Sequence, residues 1–263
     1  MESSIPESGK WKHLLRALVS EFCGAALTVY AFNFTTAYYQ ARAFAYFVGW
    51  LMAVSVSGAH FNPATTLGVF LSEGKYGKQV VRMLLYWLFQ LMGAFAGVLI
   101  TYLIFNEPVE GYLLWPLEQN PDVATRFFSE SGNLYYAKIC FLEALNTFTF
   151  VYVYLLVIYK PQLRTVDEII KGLGVALTLW ICYELSAGSG ACLNPALAIA
   201  QVSYQVGFLN GMDYNGNRFA SPIWCYIVFP LIGAIVAAVS FRVHIKLENS
   251  ALKQDAGEAA VAE

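Results

Sequence analysis

The chain has 263 residues, 58% of them hydrophobic and only 13% charged, with a formal net charge of −2. A soluble domain carries about 25% charged side chains, so this composition excludes an ordinary soluble core, and the absence of a basic field argues against a nucleic-acid partner. Five cysteines without a CxxC spacing and three histidines give no metal framework, and no phosphate-binding glycine loop or nucleophile constellation points to an enzyme or a cofactor.

Residues 1–12 are polar and precede an apolar run from about Leu14 to Tyr38. A bilayer needs about 20 apolar residues to be crossed by a helix. The run therefore reads as an uncleaved first span rather than a signal peptide. Further apolar stretches follow at about Ala43 to Val56, Met83 to Phe105, Ile139 to Tyr159, Ile169 to Leu185 and Ile223 to Val243. Six spans put both termini on one side. That side collects Lys10, Lys12, Arg16, Lys75, Lys78, Arg82, Lys160, Arg164, Lys171, Arg242, Lys246 and Lys253, against Arg42, Arg126, Lys138 and Arg218 for the other. The positive-inside rule then sets the termini in the cytoplasm of a multi-pass protein in a lipid bilayer. The acidic segment from about Asn106 to Lys138 falls outside, with Trp115, Phe127, Phe128 and Tyr135 expected either over the helix ends or at the membrane interface. Three parts result: a cytoplasmic segment 1–12, a transmembrane unit 13–247, and a small polar tail 248–263 expected to be disordered.

The chain also repeats itself. "GAHFNPATTLG" at Gly58–Gly68 returns as "GACLNPALAIA" at Gly190–Ala200, 132 positions later. Each copy is preceded by a glutamate set early in a span, Glu21 and Glu143, 41 and 51 positions ahead of the Asn. Three spans per half is an odd number, so the second copy is inverted in the membrane and the two motifs enter from opposite faces. Irregular backbone at membrane depth is tolerated only inside protein or against a watery cavity. Proline suits the first turn of a helix and Asn its N-cap. Each motif (Asn62, Pro63 and Ala64; Asn194, Pro195 and Ala196) thus reads as the capped start of a half-helix. Two such ends meeting at mid-membrane present positive dipole ends and two asparagine donors to a polar permeant, and oppose a cation. Buried carboxylates are costly in a membrane, so Glu21 and Glu143 read as acceptors that hold the loop backbones.

On these residues the chain resembles the aquaporin, or major intrinsic protein, family, from about Leu14 to His244. The resemblance implies an all-α integral membrane fold of six transmembrane helices plus two re-entrant half-helices in an inverted 3+3 repeat. It further implies a homotetramer with a pore in each subunit and passive movement of water, in some members of glycerol or other small neutral solutes. One departure stands out: most members carry arginine after the second motif, as part of a filter near the outer mouth, and here the residue is Leu197. By the family's spacing the other filter positions fall on Ala191, Cys182 and a residue of the second span. That last residue is Arg42 by an ungapped count, or Phe44 or Phe47 with a shortened helix. An aromatic there gives a wide apolar filter of Phe44, Cys182, Ala191 and Leu197, whereas Arg42 returns a charge from the opposite wall. Ala198, Tyr226 and Ile227 give conflicting markers for water and glycerol. His60 is a candidate vestibule gate or a structural hydrogen-bonding group. The remaining alternatives are a glycerol- or urea-type channel and a non-conducting scaffold of the same fold.

Overall fold

The computed structural model describes residues 7–35, 38–105, 114, 133–163, 165–209 and 220–262. Among them it is helical: α1 (Glu7–Phe34), α2 (Tyr39–Ala53), α3 (Pro63–Glu73), α4 (Tyr76–Phe105), α5 (Asn133–Tyr159), α6 (Glu168–Leu185), α7 (Pro195–Leu209) and α8 (Ile223–Ala262). α1, α4, α5 and α8 each hold a stretch long and apolar enough to cross a membrane. The 15-residue α2 and the 18-residue α6, which carries Glu168, Lys171 and Glu184, are the shortest of the six. α3 and α7 have 11 and 15 residues. At 1.5 Å per residue they reach about 17 and 23 Å, short of the ~30 Å hydrocarbon core.

The bundle exposes apolar side chains, as a lipid solvent requires, and buries polar ones among its apolar clusters. Val81, Leu88 and Leu103 of α4 and Val239 and Val243 of α8 are exposed, whereas Glu21, Gln90, Glu143, Gln201 and Gln205 are fully buried. Glycine sets the closest helix contacts, at matching places in the two halves. A Cβ on Gly93 of α4 would lie 2.2 Å from the Phe22 carbonyl oxygen of α1, and one on Gly233 of α8 would lie 2.3 Å from that of Ala144 of α5. Small residues that let backbones meet are the usual adhesive of membrane helices.

Two boundaries depart from the sequence reading. α8 continues as helix to Ala262, through the tail expected to be disordered from 248. The tail is rich in Ala and Glu, both strong helix formers, and Glu248 pairs with Lys160 (3.1 Å) and accepts from Gln162 Nε2 (3.0 Å). α2 closes at Ala53, before the expected Val56, because the chain turns over residues 54–57 into Gly58 at φ +94°. Arg126, Arg164 and Arg218 of the charge count lie outside the described residues, as does the acidic segment after α4 apart from Leu114 and the start of α5.

Candidate pore and its two loops

Each re-entrant helix starts as its sequence dictates. Asn62 is extended (φ −154°, ψ 124°), its Oδ1 accepts from Ala64 N at 2.8 Å, and Pro63 occupies the first turn, where no N–H is needed. Asn194 repeats the cap: Oδ1 accepts from Ala196 N at 3.0 Å and Leu197 N at 3.4 Å. The amide nitrogens cross between the halves. Asn62 Nδ2 donates to Leu193 O at 2.8 Å and Asn194 Nδ2 donates to Phe61 O at 3.1 Å. Both asparagines border the same narrow cavity. An amide nitrogen has two hydrogens, so one from each side chain is left over after the latch is made. The donors thus serve first to lock the two loops together, a role the sequence reading had not given them.

The loops ahead of the caps share an unusual backbone. Gly58, Ala59 and Phe61 have φ of +94°, +58° and +54°; Gly190, Ala191 and Leu193 have +103°, +55° and +51°. Left-handed backbone costs a non-glycine residue roughly 1–2 kcal/mol, so these positions need compensation. It comes from the glutamates, because alternating handedness turns successive N–H groups toward one anion. Glu21 accepts from His60 N (3.0 Å) and Phe61 N (2.7 Å); Glu143 accepts from Cys192 N (3.2 Å) and Leu193 N (2.7 Å). Each carboxylate has a further donor: Gln90 Nε2 at 2.7 Å on Glu21, Ser189 Oγ at 2.6 Å on Glu143. The repeat seen in the sequence therefore extends to individual backbone angles and hydrogen bonds.

Tyrosines complete the scaffold. Tyr86, Tyr154 and Tyr46 donate to the consecutive carbonyls of Ser57 (3.1 Å), Gly58 (2.6 Å) and Ala59 (2.8 Å). In the second loop, Tyr226 donates to Ser189 O. His60 Nδ1 lies 3.1 Å from Thr66 Oγ1, and its ring is boxed by Tyr86 and Tyr154 at centroid distances of 5.4 and 5.8 Å. His60 borders two cavities. One, of about 110 Å³, is flanked by Glu73, Arg82, Tyr86 and Tyr159; the other is the narrow one at the asparagines, walled by Thr28, Tyr46, Leu179, Tyr183 and Cys192 among others. His60 is thus the side chain that the two cavities share.

The predicted filter residues are not all brought together. Leu197 is buried in an apolar cluster with Val29, Phe32 and Tyr226. Ala191 and Cys182 are fully buried in the opposite cluster, with Phe150 and Leu179. The α6 side chains on the narrow cavity are Leu179 and Tyr183, four residues apart on one face, and Cys182 is not on its wall. Phe44 is not on that wall either. It is 45% exposed, while Arg42 is 4% exposed, because two residues along a helix are about 200° apart around it. Phe47 is half-buried, and Tyr46 is the α2 side chain on the cavity. The Arg42 guanidinium sits over the rings of Phe32 at 4.2 Å and Tyr39 at 4.9 Å. Sequence reasoning missed Gln90 and the tyrosines. Gln90, a polar side chain in the middle of an apolar span, carried the signal that would have found it; tyrosine is too common here to stand out.

Two half-helices capped at mid-bundle, latched to each other and flanked by cavities, define a channel rather than a catalyst. The profile described as MIP: Major intrinsic protein matches residues 8–241, and the chain belongs to that family of membrane channels. It is 27% identical over 205 residues to a probable aquaporin TIP-type alpha of Phaseolus vulgaris, covering 77% of this chain and 67% of that one. It is 23% identical over 250 residues to an aquaglyceroporin of Toxoplasma gondii, covering 91% and 84%. The X-ray structure of the aquaglyceroporin from Plasmodium falciparum superposes with a TM-score of 0.67 at 20% identity, over 87% of this chain and 96% of that one, a likeness of fold.

Proposed function

We propose that the chain is a passive channel for water, with slower passage of small neutral solutes, in which Arg42 on α2 supplies the cation that Leu197 does not. The observation that carries this reading is the burial of Arg42 against Phe32, a member of the cluster that holds Leu197. A guanidinium over aromatic faces keeps its charge with little water around it. There it repels cations and protons and leaves neutral molecules to pass, in series with the half-helix dipoles. The spare N–H of Asn62 and of Asn194 orients a permeant at the centre. We further propose cytoplasmic termini, from the distribution of basic residues, and a homotetramer, from family membership. His60 acts as a positioning group, since Thr66 and two tyrosines hold its ring.

Stopped-flow light scattering on proteoliposomes tests the reading. Osmotic shrinkage should be clearly faster than in empty liposomes, with glycerol uptake slower than water. Shrinkage equal to empty vesicles would instead establish a scaffold without conduction, and equal rates for both permeants a glycerol-type channel. Arg42→Ala should raise proton leak strongly, and unchanged water and proton flux in that variant would remove Arg42 from the filter.

A further inference from the structure

Four of the five cysteines are buried, and two of them face each other. Cys140 Sγ of α5 lies 3.2 Å from Cys225 Sγ of α8, across 85 residues of sequence. A disulfide has sulfurs 2.03–2.05 Å apart, so the pair is about 1.2 Å from bonding distance, within reach of small side-chain rotations. The helices that carry them cannot drift apart freely, because Gly233 of α8 seats against the Ala144 backbone of α5. The other thiols are differently placed: Cys23 is exposed, Cys192 Sγ donates to Asn194 O at 3.2 Å, and Cys182 packs in the cluster around Phe150.

Access comes from one side. A surface groove of about 490 Å³ runs between α5 and α8, lined by Tyr136, Cys140, Phe141, Trp224, Phe229 and Ile232 among others. Cys140 borders it, and Cys225 is fully buried behind. The two therefore have distinct parts to play: one sulfur that a small oxidant reaches, one that resolves.

We propose that Cys140 and Cys225 form an oxidisable dithiol that hydrogen peroxide or another small hydroperoxide converts to a disulfide between α5 and α8. Cys140 sulfur attacks one peroxide oxygen, the O–O bond breaks, and the thiol proton leaves with the second oxygen, as water from hydrogen peroxide or as an alcohol from an organic hydroperoxide, giving a sulfenic acid. Cys225 sulfur then attacks that sulfur. The S–S bond forms, the S–O bond breaks, and the hydroxyl leaves as water with the Cys225 proton. Two thiols lose two electrons and one peroxide gains them. The bond would staple the two helices that hold the second loop. Cys140 is one helical turn from Glu143, which carries Cys192 and Leu193, and Cys225 adjoins Tyr226, which holds Ser189.

The test uses the full chain in liposomes, treated with hydrogen peroxide and digested without reduction. The expected product is a linked peptide pair containing Cys140 and Cys225, lighter by about 2 Da than the two thiol peptides and restored by dithiothreitol. The oxidised protein should also unfold at a higher temperature than the reduced one, and Cys225→Ser should abolish both the linkage and the shift. Full alkylation of both thiols after peroxide, or oxidation that stops at a sulfinic acid on Cys140 without linkage, would overturn the proposal. So would a linked Cys140 peptide persisting in Cys225→Ser. The wild-type digest alone decides the matter should the variant fail to fold.

Discussion

Glu21→Gln puts the loop-holding role of the glutamates under direct strain. Both Glu21 oxygens act as acceptors, Oε1 from His60 N and Oε2 from Phe61 N and Gln90 Nε2. Glutamine has one acceptor and one donor at these positions. Its better orientation leaves the oxygen to Phe61 and Gln90 and turns its NH₂ against the His60 N–H. A buried N–H left without an acceptor costs about 1–3 kcal/mol, and two hydrogen bonds that lose a charged partner weaken by roughly 1 kcal/mol each. The total is about 3–5 kcal/mol, or roughly 10 °C in the unfolding midpoint of a chain this size. Thermal unfolding in detergent reads the first effect and proteoliposome water flux the second, since Ala59 and Phe61 would no longer be held at positive φ. Glu143→Gln should be milder: the Ser189 hydroxyl can reverse to accept, and the Cys192 bond is the longest of the set at 3.2 Å. A Glu21→Gln protein that melts within about 2 °C of wild type and conducts water normally would refute the reasoning, as would a larger loss in Glu143→Gln.

The remaining predictions bear on the latch, the packing and the mouth. Asn194→Ala removes a helix cap worth about 0.5–2 kcal/mol and leaves Phe61 O without its cross-loop donor; unfolding should shift down and water flux should fall. Gly93→Ala forces a Cβ to 2.2 Å from Phe22 O, a backbone clash that should cost at least the ~1–3 kcal/mol of an overpacked core; Gly77→Ala, with open space around it, is the control that should stay near wild type. Leu197→Arg puts a second cation near Arg42 and should slow neutral solutes more than water, as measured by paired glycerol and osmotic transients.

The sequence carried the helices and the doubled motif because both rest on periodicities that lipid enforces: long apolar runs, and proline with asparagine where a helix begins at depth. The paired glutamates were legible for the same reason, since a carboxylate in an apolar run requires donors around it. Which faces of α2 and α6 meet the narrow cavity was not legible, because that depends on how the two helices are rotated in the bundle, which spacing from a distant motif does not determine. The tail beyond Leu247 was misread from its polarity, although its residues favour helix. The latch between the asparagines and the opposite carbonyls had no local signature, since each bond joins residues in different halves.

That latch has a consequence for how the protein is made. Asn62 finds its acceptor on Leu193, 131 residues later. At about 5–20 residues per second the ribosome delivers that partner some 7–26 s after the donor. For that interval the first re-entrant segment rests on Glu21, Gln90 and its own cap, with an unmet donor at membrane depth. The strength of the first glutamate's hold is thus also what keeps a half-built pore in place until its other half arrives.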